Sequence, residues 1–198
     1  RANQADEEFV PLDGKFRDNV LIQIKNGPVD FQPREPFSPL FGAMSKTAMM
    51  VEFQITQEYM GGSTHLVYLS TQLEECLDSD TYCGVPPSTV AGITSGKAYP
   101  EAYSTTAIAG VANIGRDANW CGHHFAQSSW YAFGRMAWDA DLSSEEIARE
   151  WLVQTFTSEP EFVEPVLDMM MISREAAVEY MMPLGLHHIF AGTHHYGP

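Results

Sequence analysis

With 198 residues, 44% of them hydrophobic and 12% aromatic, the chain has enough apolar material for one globular domain or for part of a larger one. Its formal net charge of −15 disfavours nucleic acid and anionic membranes as partners, because a surface of the same sign releases no counterions on meeting them. Cys76, Cys83 and Cys121 form an odd and sparse set that argues against a disulfide framework, and no apolar run approaches the roughly 20 residues that span a bilayer.

Residues 1–18 are polar and acidic and read as a loop or a short helix, with no charged-then-apolar leader pattern. NVLIQIK, residues 19–25, reads as a strand: Val20, Ile22 and Ile24 share one face, and Leu21, Gln23 and Lys25 share the other. Pro and Gly crowd residues 26–48 and exclude a long regular element there. MMVEFQIT, residues 49–56, repeats the strand pattern, with Val51, Phe53 and Ile55 on one side and Glu52, Gln54 and Thr56 on the other. The spacing of Leu66, Leu69, Leu73 and Leu77 predicts a helix over 64–79. A Gly/Pro/Ser loop is expected over 84–104, a third strand over 105–113 and a helix over 122–137.

The character changes after residue 140. Ser143 and Glu146 stand at capping-box spacing and open a helix with Ile147, Trp151 and the stretch from Val153 to Phe156 on or near one face. A further helix is expected over 160–182, and its Met169-Met170-Met171 run suits adaptable core or domain-contact filling. Strand alternating with helix points to a parallel sheet, which must be covered on both faces. Three strands make half a domain, so the expected class is α/β: residues 1–140 as the later part of a TIM (β/α)8 barrel, and 141–198 as the start of a helical C-terminal domain.

In such a barrel one strand face packs on helices, the other looks inward, and sites form at the C-terminal strand ends. If the apolar sets face the helices, then Gln23, Lys25, Glu52, Gln54 and Thr56 point inward, and Glu58 continues their phase just past its strand. Asp30 lies just past the neighbouring strand, on the stiff turn NGPVDFQPREPF. Two carboxylates and a lysine thus converge on one rim. The competing reading is that strand-end acids cap a helix or bind a surface arginine, for which Arg34 and Arg116 are available. A polar inward face favours a site, since barrel interiors are usually filled by Val, Ile and Leu.

At these residues the sequence resembles the α-glucuronidases of glycoside hydrolase family 67. The stretches that carry the resemblance are RANQADEEFVPLDGKF, IKNGPVDFQPREPFSPLFGAM, VEFQITQEYMG, IAGVANIG followed by NW, GHHFAQSSWYAFGRMAW, DLSSEEIAREW and MMPLGLHHIF, which together cover nearly the whole chain. The resemblance implies an inverting enzyme on an α/β barrel with a helical C-terminal domain. Such enzymes remove α-1,2-linked (4-O-methyl-)glucuronic acid from glucuronoxylan-derived oligosaccharides, the aldouronic acids. The family's paired base carboxylates fall on Asp30 and Glu58, and a lysine that helps hold the glucuronate carboxylate falls on Lys25. The general acid belongs to an earlier strand with no counterpart in this chain, which therefore carries the base side of the site. No cofactor is expected; a homodimer is the expected assembly of the full-length enzyme.

Asn119 and Trp120, in the loop after the third strand, are candidates to bond or stack on xylose; for Trp120 core packing is an equal alternative, since indole rings serve both ends. The chain departs from the family pattern at Cys121, where a Thr is expected, and at Gly192-Thr193, where Trp-Gly is expected; neither touches Asp30 or Glu58. His187-His188 and His194-His195 suggest a metal protein as a rival, but adjacent strand histidines point to opposite faces and no carboxylate or Cys stands at ligand spacing. His123-His124 opens a helix and is expected to pack or hydrogen-bond. Gly110 and Gly115 lack dinucleotide-fingerprint spacing. A further rival is a non-catalytic sugar-binding or interaction module built on the same barrel rim.

Overall fold

The computed structural model describes residues 3–56, 58–60, 65–119 and 121–182. Trp120 and both C-terminal histidine pairs lie outside the described residues. In chain order the elements are α1 (Gln4–Phe9), β1 (Ile22–Lys25), α2 (Leu40–Ala43), β2 (Met49–Gln54), α3 (Ser70–Asp78), α4 (Val90–Thr94), β3 (Ile108–Val111), α5 (His124–Trp138), α6 (Ser144–Thr155) and α7 (Pro160–Met181). They divide between two compact units, residues 1–31, 35–53 and 75–110 in the first and 32–34, 54–74 and 111–198 in the second.

The first unit holds the sheet, in the order β1-β2-β3. β1 and β2 are parallel, with Ile22 opposite Met49 and Lys25 opposite Glu52. The Asn26 N–H carries the ladder one step further, to Glu52 O at 2.9 Å. Side chains alternate as the sequence predicts: Met49, Val51 and Phe53 are buried, while Met50, Glu52 and Gln54 are half-buried. β1 starts later than expected because the Val20 N–H turns back to Arg17 O, which spends the donor that a ladder would use.

The expected loop over 84–104 contains regular structure. α4 is N-capped by Thr89, whose Oγ1 accepts the Gly92 N–H at 3.0 Å, and it buries Val90 and Ile93 completely. The Ser-Thr cap followed by apolar residues three apart was the legible signal, outweighed in the sequence by the surrounding Gly and Pro. A 3-10 turn follows at Pro100–Ala102. It leads to Tyr103, whose hydroxyl accepts the Met49 N–H at 3.1 Å.

In the second unit α5, α6 and α7 pack in sequence, α5 on α6 and α6 on α7. The capping box of α6 is present as predicted: Ser143 Oγ accepts the Glu146 N–H, and Glu146 Oε2 accepts the Ser143 N–H at 3.1 Å. The buried face of α6 is Ile147, Ala148, Trp151 and Leu152, whereas Val153 points outward. Trp151 meets Phe125 and Phe156 at ring-centroid distances of 5.6 and 5.5 Å, within the range in which tilted and edge-on aromatic pairs attract. In the methionine run Met170 is fully buried, while Met169 is largely exposed.

The helix expected from residue 64 starts only at Ser70. Just before it, Ser173 Oγ accepts the Tyr68 N–H at 2.8 Å and Ser129 Oγ accepts the Leu69 N–H at 3.2 Å. Hydroxyls from α7 and α5 thus satisfy an extended approach, and a leucine spacing cannot report them. The tripeptide Gln32–Arg34 also belongs to this unit: buried Arg174 of α7 donates to Pro33 O through Nε at 3.1 Å and Nη2 at 2.6 Å.

Candidate active site

Lys25 is the last residue of β1, and its side chain is about half exposed. Beyond it the chain enters the turn whose stiffness the sequence announces. Asn26 is buried, and its carbonyl accepts the Ser38 N–H at 2.8 Å, which closes the loop at its base. At the crest Asp30 has φ 117° and Phe31 φ 59°. Two consecutive non-glycine residues at positive φ cost on the order of 1–3 kcal/mol each, and such strain persists only where the surroundings over-determine it. Lys25 Nζ pairs with Asp30 Oδ1 and lies 4.7 Å from the centroid of the Phe31 ring. One ammonium therefore touches both strained residues, through an ion pair and a cation–π contact. Gln23 donates to Glu52 Oε2 on the adjoining strand.

Glu58 belongs to the second unit. Gln54 Nε2 donates to its Oε2 at 2.7 Å, and Asn113 Nδ2 donates to the same oxygen. Asn113 is itself placed by its backbone, whose N–H reaches Thr56 Oγ1 at 3.1 Å, next to the Ile55 N–H to Val111 O bond at 2.8 Å. Two amide groups thus fix the carboxylate through one oxygen and orient the other. Arg34, offered as an alternative partner for a strand-end acid, instead pairs with Glu175 of α7.

Asn119 is exposed and committed to its own turn: its N–H bonds Asp117 Oδ1 at 2.9 Å, and its Nδ2 donates to Gly122 O at 2.6 Å. It lines a cavity of about 390 Å³ together with Cys121, His123, His124 and Gln127. His123 Nδ1 accepts the Ala126 N–H at 3.3 Å and caps α5. The proton then sits on Nε2, which lies 3.2 Å from His65 O and donates to it. All three cysteines are free. Among the described residues no group of three or more His, Cys, Asp or Glu side chains is placed to hold a metal ion.

Sequence reasoning named Lys25, Asp30 and Glu58 and placed Gln54 on the same inward face, but gave no role to Gln54 and missed Asn113, which bonds Glu58, and Glu35, which accepts the Val29 N–H beside Asp30. Gln54 stands four residues before Glu58, and Asn113 ends the third predicted strand as Asp30 and Glu58 follow theirs, so strand-end position was the available signal. Glu35 shows no such pattern, because it acts back across a turn.

The family model described as Glycosyl hydrolase family 67 middle domain matches residues 1–120, and that described as Glycosyl hydrolase family 67 C-terminus matches residues 121–198. The chain belongs to glycosyl hydrolase family 67. It is 46% identical to Alpha-glucuronidase A of Emericella nidulans over 201 residues, which covers all of this chain and 23% of that protein. It is 43% identical to Probable alpha-glucuronidase A of Aspergillus fumigatus, over all of this chain and 24% of that protein. With Alpha-glucuronidase of Hypocrea jecorina it shares 42% identity over 94% of this chain and 22% of the other. The chain thus spans about a quarter of the length of the relatives it matches.

Proposed function

We propose that the full-length protein containing this chain is an inverting α-glucuronidase, and that this chain supplies the base side of its site. The bond cleaved is the α-1,2 link between (4-O-methyl-)glucuronic acid and xylose in glucuronoxylan-derived aldouronic acids. Residues 1–140 are the later strands of a (β/α)8 barrel, and 141–198 begin a helical C-terminal domain. The full-length enzyme is a homodimer that engages neither nucleic acid nor membrane, in keeping with the net charge of −15 that these 198 residues carry.

The observation that carries this reading is the pairing of Lys25 with Asp30 on a strained strand-end loop of a family-67 chain. An inverting hydrolase needs a carboxylate that takes a proton from water on the face opposite the leaving oxygen. A carboxylic acid about 6.5–9.5 Å away protonates that oxygen. Asp30 and Glu58 share the base side: one takes the proton, the other orients the water. Glu58 suits orientation, because amides anchor Oε2 and aim Oε1. Lys25 answers the substrate's own carboxylate through a charge-assisted hydrogen bond, and Asn119 and Trp120 serve the xylose side.

The test is to incubate the full-length protein with aldouronic acids and follow the released sugar by proton NMR. Glucuronic acid should appear first as the β anomer and mutarotate afterwards. Initial release of the α anomer would overturn the inverting assignment, and no release would overturn the activity.

A further inference from the structure

Asp30 is held in its unusual backbone conformation, and the sheet ladder does not do it. The last ladder bond on its side is Asn26 N–H to Glu52 O, and the loop closes only at Ser38. Between those points Glu35 reaches back across the turn: its Oε2 accepts the Val29 N–H, the backbone donor immediately before Asp30. The same side chain lies over buried Gly27, where a Cβ would overlap Glu35 Cγ and Cδ. Pro28 has no N–H to offer and fixes its own φ, so the Val29 N–H is the first donor after Gly27 through which the approach to Asp30 can be gripped.

We propose that Glu35 is the positioning residue for Asp30: its carboxylate, seated on Gly27, clamps the Val29 amide and thereby sets the backbone that aims Asp30. This rests on the reading of Asp30 as part of the catalytic base. The grip depends on the reach and direction of the oxygen that accepts the Val29 N–H, which an amide oxygen on a side chain of the same length reproduces. Sub-ångström placement is where such a bond matters, since a misplacement of about 1 Å at a reacting group costs on the order of 10²-fold in rate. Gly27 is required because only a residue without Cβ leaves room for the clamp.

Four variants of the full-length protein test this, together with Asp30→Ala as reference. Glu35→Ala should lower kcat by about 10–100-fold with KM changed less than about threefold, because binding groups are untouched and only aim is lost. Glu35→Gln keeps an oxygen of the same reach and should retain near-normal kcat; Glu35→Asp, one methylene short, should fall with Glu35→Ala. Gly27→Ala should reproduce Glu35→Ala by displacing the clamp. Hydrogen–deuterium exchange of the peptide covering 26–37 should accelerate in Glu35→Ala and Gly27→Ala, but not in Glu35→Gln. That readout does not depend on the activity assignment. If Asp30→Ala turns over normally, the base reading falls while exchange still judges the clamp. If Asp30→Ala is inactive but Glu35→Ala and Gly27→Ala are normal in kcat and exchange, the clamp is wrong. Equal loss in Glu35→Gln and Glu35→Ala would also overturn it, since charge and not the N–H bond would then be at work.

Discussion

The loop that carries Asp30 and the helices from His124 to Met181 are held in opposite ways. The helices satisfy their own backbones, α5 and α6 begin at side-chain caps and α7 at Pro160, and α6 and α7 bury Ile147, Trp151, Leu152, Val163, Leu167 and Met170. The loop has almost no regular backbone pairing between Asn26 and Ser38, and it is fastened by side chains: Lys25 on Asp30 and Phe31, and Glu35 on Val29. The helices draw stability from consistency between local and tertiary preferences, whereas the loop spends stability to hold two residues at positive φ. Substitutions in the two regions should therefore separate cleanly, the first set changing stability and the second changing turnover.

The largest effect should come from the loop and from Glu58. Asp30→Ala or Glu58→Ala should lower turnover on aldouronic acids by about 10²–10⁴-fold, the usual contribution of general acid–base catalysis. The urea midpoint should hardly move, because the Asp30 side chain is about half exposed and its ion pair with Lys25 is a surface pair, of a kind that contributes about 0–1 kcal/mol. Near-normal turnover in either variant would remove that residue from the mechanism. Lys25→Ala should mainly raise KM, and an unchanged KM for glucuronate-bearing substrate would end its assignment to the substrate carboxylate. The opposite pattern is expected from Trp151→Ala. Trp151 is 3% exposed and ringed by Phe125 and Phe156, so truncation should cost about 3–5 kcal/mol by chemical denaturation, the range for large aromatics in cores. Any enzyme that remains folded should keep its kcat; a stable variant with collapsed turnover would break the separation. Ser143→Ala removes one arm of the capping box and should cost about 1 kcal/mol with no kinetic effect. A loss below a few tenths would mean that packing alone sets the start of α6.

Much of this was legible in the chain itself. The alternation MMVEFQIT gave the correct buried face of β2 because half-burial is written in a period of two. The Ser143 to Glu146 spacing gave the start of α6 because that cap is local. Asp30 stood out because Gly-Pro before an acid is a rigid way to leave a strand. What stayed hidden was non-local. The late start of α3 depends on Ser129 and Ser173, 60 and 105 residues away from the N–H groups they accept. Glu58 depends on Asn113, 55 residues on. Glu35 lies near Asp30 in sequence, but its role follows from a backbone reversal that residue types alone do not specify. Short-range periodicity reports which face is buried; it does not report which side chain reaches which backbone group.

The smallest expected effect lies on the helical side and concerns pH. Arg149 donates to Glu164 through Nη1 at 2.5 Å and Nη2 at 3.0 Å, and this pair holds the Glu164 carboxyl below its ordinary 4.5. The Ser143 hydroxyl and N–H do the same for Glu146. A carboxyl whose value is lower folded than unfolded binds fewer protons in the folded state, so its contribution is complete above the unfolded value and fades as pH falls through the folded one. The urea midpoint should therefore decline from about pH 4.5 downward, and part of that decline belongs to these two glutamates. Both are exposed, so each part is small, and the two differ in salt response. The Arg149–Glu164 part should shrink in 1 M salt, where the Debye length is about 3 Å. The Glu146 part, made of contact hydrogen bonds, should persist. The measurement is the urea midpoint at closely spaced pH values from 7 to 3.5, for the parent, Glu164→Gln and Glu146→Gln, at low and high salt. Each variant should show a shallower acid limb than the parent at low salt. At high salt only Glu146→Gln should still differ. An acid limb unchanged by Glu164→Gln at low salt would show that the α6–α7 ion pair contributes nothing and that the helices rest on their apolar faces and caps alone.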